Sequence, residues 1–145
     1  MPQPTHVDPR GLRASAGITA VVLALVLVTP EPVSVVLLAI QVAVFAVSAL
    51  VSLKHSPYSV LFASVVRPRI GPPAELEDAR PPRFAQLVGL VFTGAALIAF
   101  LAGATTVGYV ATAFALVAAL LNASVGLCLG CELYLTLRRL TPARA

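Results

Sequence analysis

Cys128 and Cys131, the only two cysteines of the chain, stand three residues apart as Cys128-Leu129-Gly130-Cys131, with Glu132 directly after them. Two thiols at this spacing can pass to a disulfide and back, carry a sulfane sulfur as a persulfide, or share a soft metal ion. In that chemistry Cys128 is the candidate nucleophile, Cys131 the resolving thiol and Glu132 the proton acceptor, one residue from Cys131 and one helical turn from Cys128. Two bland readings stand beside it. Buried free cysteine is common in apolar segments and packs as a small hydrophobe. A metal site is disfavoured because a closed zinc centre takes four ligands, so His6, His55 or a second protomer would have to complete the set.

Reactivity depends on the backbone around the pair. On an uninterrupted helix the thiols would meet its C-terminal dipole and the hydrocarbon, both of which oppose the thiolate. If the chain instead breaks between Gly126 and Gly130, the cysteines begin a second short helix reaching Leu140, and its N-terminal amides favour the thiolate. Glycine costs about 1 kcal/mol in a helix interior, so two within five residues make such a break plausible.

The elements that must hold this pair are membrane helices. Of the 145 residues 59% are hydrophobic and only 11% charged, against a globular norm of about 25% charged. The apolar residues lie in long blocks, the pattern of spans and not of a soluble core. Residues 14–29 cover only about 24 Å of helix and need snorkelling by Arg13 or a thinned bilayer to cross. The missing small-x-small cleavage site before Pro30 argues for a retained span over a secretory signal. Residues 33–53 carry no charge and reach about 31 Å. Residues 84–131 are likewise uncharged and too long for one span; the Gly103-Ala104-Thr105-Thr106-Val107-Gly108 segment divides them into spans at 84–102 and 109–128. The expected fold is an all-α, four-helix transmembrane bundle in a single domain, 1–145, with a proline-rich loop, 54–83, between helices 2 and 3 and a tail at 132–145.

All ten basic residues lie before the first span, in the 54–83 loop or after the fourth span. Lysine and arginine are retained on the cytoplasmic side, so both termini and the loop are expected there, in the cytoplasmic (inner) membrane of a bacterium. The net charge of +4 is then a topological signal, and no aromatic-interleaved basic patch points to nucleic acid. The loop run 58–66 is too short to cross and has Tyr58, Leu61, Phe62 and Val65 at helical spacing, which fits a short interfacial helix. After it, Arg67-Pro68-Arg69 and Arg80-Pro81-Pro82-Arg83 flank the acids Glu75, Glu77 and Asp78. The prolines predict an extended strap, either a solvated connector or a platform over the bundle mouth that brings Arg67 or Arg69 near the sulfurs. Gln41 and Asn122 are costly to leave unpaired in hydrocarbon and are expected to find partners on facing helices. On a straight fourth helix, Asn122 would sit on another face from the cysteines.

Three strings resemble a bacterial membrane family, domain-of-unknown-function family 4395: Val7-Asp8-Pro9-Arg10; Gly71-Pro72-Pro73 through Pro81-Pro82-Arg83-Phe84-Ala85-Gln86; and Leu121-Asn122-Ala123 with Gly126-Leu127-Cys128-Leu129-Gly130-Cys131-Glu132-Leu133-Tyr134. The resemblance implies a small multi-span protein and association with thioredoxin-like proteins or sulfurtransferases. The expected role is thiol–disulfide exchange or persulfide handling at the cytoplasmic membrane face, with a soluble partner or a reducible lipid-phase carrier and no bound cofactor. The alternatives are a scaffold with structural cysteines and a small transporter of a sulfur compound. No span holds an interior charge, which speaks against a proton pump or a voltage sensor.

Overall fold

Asp8 opens the first helix. Its carboxylate accepts the Arg10 backbone N–H at 2.9 Å, Pro9 occupies the first helical position, and α1 runs over Pro9–Val28 in the computed structural model, which describes residues 6–141. The helix therefore begins five residues before the apolar block does. α2 covers Val33–Ala46 and continues as a π-helical turn over Val47–Val51. A single 3-10 turn, Leu53–His55, leads to α3, Pro57–Leu61; a second π turn, Phe62–Val66, leads to α4, Arg67–Ile70, which ends at Gly71 with φ of 77°. α5 spans Arg80–Leu101, α6 Thr105–Val125 and α7 Leu129–Leu140. Four of these helical stretches, 9–28, 33–51, 80–101 and 105–125, are long and apolar enough to cross a membrane.

The expectation of an all-helical bundle with four such helices holds, with one small addition. Residues His6–Val7 (β1) pair antiparallel with Glu77–Asp78 (β2), fastening the start of the chain to the end of the loop.

The short helix expected over 58–66 is found, within a helical stretch 57–70. The strap is shorter than expected: 71–79 hold no helix, but Arg67–Ile70 at its start are helical, Pro68 included, because it sits in the first turn after the π turn, where a missing N–H costs little. Pro81 and Pro82 likewise fall in the first turn of α5, so that helix starts four residues before residue 84. The turn between α5 and α6 is also tighter than the 103–108 segment: Gly103 takes φ of 84° and helix resumes at Thr105. Gly108 serves packing instead of turning, since a Cβ there would stand 2.9 Å from the Phe100 ring.

The four long helices close a ring in which α1 lies against α2 and α6, and α5 lies against α2 and α6. Leu23, Val26, Leu38, Ala96, Phe100 and Ala115 fill one end of it. Toward the other end the buried residues turn polar: Thr19, Gln41, Ser48, Ser52 and Ser56. Outward-facing residues such as Val21, Ile98 and Phe114 are 60%, 69% and 63% exposed, an apolar surface suited to lipid. α7 leaves the ring and packs on α5, with the Phe84 and Tyr134 rings 5.7 Å apart.

Two arginines close helix ends across the bundle. Arg83 of α5 donates to the carbonyl of Ala49 at 2.8 Å, in the π turn that ends α2. Arg13 of α1 donates to the carbonyls of Ala123 and Ser124, at 3.1 and 3.0 Å, in the last turn of α6. Both place a cation where unsatisfied carbonyls and the negative dipole end favour one.

Candidate thiol-redox site

The break in the chain falls where the glycines permit it. Gly126 caps α6 in the left-handed conformation, φ 75° and ψ 12°, its N–H donating to the carbonyl of Asn122. Two residues later Cys128 is extended, φ −92° and ψ 104°, and forms the N-cap of α7, its Sγ accepting the backbone N–H of Cys131 at 3.2 Å. Of the two backbones open to the sequence, the broken one is found. The cysteines thus occupy a helix N-terminus, where the dipole and free N–H groups favour a thiolate in the reduced state. Cys128 and Cys131 are joined by a disulfide, with their Cα atoms 5.1 Å apart.

Gly130 fixes where the pair stands. A Cβ at this position would lie 2.5 Å from both Cα and Cβ of Ala85, so the first turn of α7 lies flush against the α5 backbone. The glycine that sequence alone marks as a helix breaker is a contact surface.

Two cavities meet at the disulfide. The first, about 100 Å³, is the more polar of the two and lies inside the ring, walled by both cysteines together with Arg13, Ser15, Tyr58, Gln86 and Asn122. Ser15 Oγ is buried there without a hydrogen-bond partner among the described residues. Tyr58 donates its hydroxyl to Gln41 Oε1 at 2.8 Å, and Gln41 Nε2 donates to Thr19 Oγ1 at 3.4 Å, so the expected partner of Gln41 is found on two other elements. Desolvation pushes the Tyr58 phenol above its ordinary pKa, which keeps it a neutral donor. The second cavity, about 300 Å³, is mostly apolar and lies between α5, α6 and α7, reaching Ala16 and Thr19 of α1 and Phe45 of α2, with Phe92, Phe114 and Leu133 also in its wall. Cys128 lines both cavities, as do Gln86 and Asn122, whereas Cys131 lines only the polar one.

Of the residues singled out in the sequence, Cys128 and Cys131 come together and Asn122 joins them, because the chain turns back after Gly126 and no longer follows a straight helix. Glu132 does not join them: its side chain is exposed in the first turn of α7 and lines neither cavity. Arg67 lies 3.7 Å from Asp8, part of the fastening between chain start and loop, and the arginine that lines the cysteine cavity is Arg13. Arg138 bonds the Tyr134 hydroxyl at 2.9 Å on the outer side of α7. No group of three or more His, Cys, Asp or Glu side chains gathers among the described residues. Arg144 lies outside the described residues. Arg13, Ser15, Tyr58 and Gln86 were not read from the sequence as members of one site. Only Arg13 carries a signal, a cation that stands just before the first apolar block.

A family model described as a domain of unknown function, DUF4395, matches residues 7–139. No curated protein and no solved structure matches the chain.

Proposed function

The chain belongs to the DUF4395 family, and we propose that it is a multi-span thiol–disulfide exchange protein whose Cys128–Cys131 couple works at the cytoplasmic face of a bacterial inner membrane. The observation that carries the reading is the position of the couple: a disulfide at the N-cap of α7, with Cys128 Sγ already accepting a helix amide and a polar cavity beside it. Such a cap holds the thiolate form that exchange requires.

In the exchange, the Cys128 thiolate attacks a sulfur of a partner's disulfide and the partner's other sulfur leaves as thiolate. Cys131, deprotonated, then attacks Cys128 Sγ, which restores the internal disulfide and releases the partner's second thiolate; two electrons and two protons pass to the partner. The reverse sequence oxidises a partner dithiol. If the partner donates a sulfane sulfur, Cys128 takes it as a persulfide and Cys131 displaces it as hydrosulfide. Glu132, exposed beside Cys131, exchanges the thiol proton with water. The basic residues around this end of the bundle support the cytoplasmic side. A thioredoxin-like protein or a sulfurtransferase is the partner class this chemistry fits.

The test is trapping. Cys131→Ser, incubated in membranes with an oxidised thioredoxin-like protein, is expected to accumulate a mixed disulfide through Cys128, while Cys128→Ser accumulates none. An impermeant maleimide should label the reduced wild type in inside-out vesicles and not in right-side-out ones. Thiols that resist labelling after reduction would sink the exchange reading and favour a structural pair; labelling solely from the outer face would overturn the sidedness.

A further inference from the structure

We infer that the apolar cavity behind Cys128 is the site of a lipid-phase quinone, which takes the electron pair of the cysteines as they form their disulfide. This rests on the exchange reading and supplies its second substrate. Cys128 stands in the wall between a polar cavity and an apolar one, and Cys131 reaches only the first.

The cavity also fits the ring. A void of about 150 Å³ already accommodates benzene, and this one holds about 300 Å³. Phe92 and Phe114, with ring centroids 6.4 Å apart, line it and are 42% and 63% exposed on the outer surface of α5 and α6. They mark an opening reached sideways from the lipid, with faces on which a flat ring can stack. The side-chain amides of Gln86 and Asn122 line the cavity and make no hydrogen bond among the described residues. Both side chains are half-buried, and a ring with two carbonyl oxygens supplies acceptors for their N–H groups. A lipid acyl chain would fill the volume but offer these amides no acceptor.

The step balances without any further reactant. The Cys128 thiolate bonds transiently to a ring carbon. Cys131 thiolate then attacks Cys128 Sγ, the S–S bond forms as the C–S bond breaks, and the electron pair stays in the ring. The two thiol protons pass to the two ring oxygens, so dithiol and quinone become disulfide and hydroquinone. Electrons therefore run from soluble thiols through Cys128 and Cys131 into the bilayer.

The experiment uses the full chain, reduced and reconstituted in lipid nanodiscs, with a short-tailed, fully substituted benzoquinone as the probe. Hydroquinone formation is followed by absorbance and thiol loss by maleimide titration. The expected result is one hydroquinone per disulfide formed, at a rate at least tenfold lower in Ala118→Phe, which fills the apolar cavity without touching the polar one. Exchange of Ala118→Phe with a small soluble disulfide should match the wild type. If Ala118→Phe does not fold, the paired change Gln86→Leu with Asn122→Leu takes its place, and an at least fivefold rise in the quinone concentration for half-maximal rate is expected. Quinone reduction that neither substitution slows, or none at all while soluble exchange continues, overturns the quinone site and leaves the exchange reading standing. Thiols inert to both oxidants overturn both.

Discussion

Gly130→Ala tests whether the disulfide is positioned by direct contact between α7 and α5. The added Cβ would stand 2.5 Å from the Cα and Cβ of Ala85, where ordinary contact begins at 3.4 Å, so the two backbones must part by about 1 Å. Over-packing of this kind costs about 1–3 kcal/mol. Alanine returns part of that through helix propensity, at most about 1 kcal/mol and less in a first turn. The obstacle is backbone and Cβ and not the end of a flexible side chain, so α7 has to move as a body. Gly94→Ala is the matched control, because nothing lies within 4 Å of a Cβ there, and it should be neutral or slightly stabilising. The assay is the rate of maleimide labelling of the reduced cysteines, read beside the yield of an engineered Phe84→Cys, Tyr134→Cys cross-link between the rings that join α5 and α7. Gly130→Ala should label at least threefold faster and cross-link less, with the four long helices intact by circular dichroism. Unchanged labelling and cross-linking in Gly130→Ala would refute the claim that this contact sets the site.

Two further outcomes follow from the polar end of the bundle. Tyr58→Phe removes the only hydrogen bond to Gln41 Oε1 among the described residues and should cost about 1–3 kcal/mol in a detergent unfolding titration, whereas Gln41→Leu in the same background should recover most of it. The fastening of chain start to loop should weaken in acid. The Arg10 guanidinium holds the Asp8 carboxyl below its ordinary value of 3.8, and Arg80 holds Asp78 at about 2. Groups with depressed folded values stabilise fully above their unfolded values and lose that contribution as pH falls through the folded ones, so proteolysis of the loop should rise between about pH 4 and pH 2. Asp8→Asn should shrink that rise; a wild-type profile flat across this window would count against the fastening.

The four long helices were legible because apolar blocks in a chain this poor in charge have few other solutions. Their starts were less so, and for α1 and α5 proline is the reason. Pro9, Pro68, Pro81 and Pro82 all sit in first turns, where a missing N–H is harmless, so residues that read as breakers are starters. The break after α6 was legible as one of two alternatives, since Gly126 and Gly130 permit it without requiring it. The walls of the site were not legible. Arg13 and Ser15 of α1, Tyr58 of α3, Gln86 of α5 and Asn122 of α6 come from four separate helices, and their meeting depends on how each helix is rotated about its axis. That rotation is set by contacts such as Gly89 against the Phe45 ring, where a Cβ would lie 2.7 Å away, and hydrophobic periodicity does not encode it when every face of a helix is apolar.

The break at Gly126 also decides what reduction does to the site. Were the pair on an unbroken helix, opening the S–S bond would release two thiols into hydrocarbon. Here the Cys131 N–H reaches Cys128 Sγ at 3.2 Å from within the first turn of α7, and an N-cap contact of this kind does not depend on the S–S bond. A thiolate accepts such a hydrogen bond more strongly than a disulfide sulfur does, so the cap gains strength as the covalent link is lost. Gly130 against Ala85 and the Phe84–Tyr134 ring contact hold α7 on α5 without involving either sulfur. The reduced and oxidised couples can therefore occupy nearly the same place. That is what a sulfur shared between a polar and an apolar cavity needs if it is to receive electrons from one and deliver them to the other without rebuilding the helix around it.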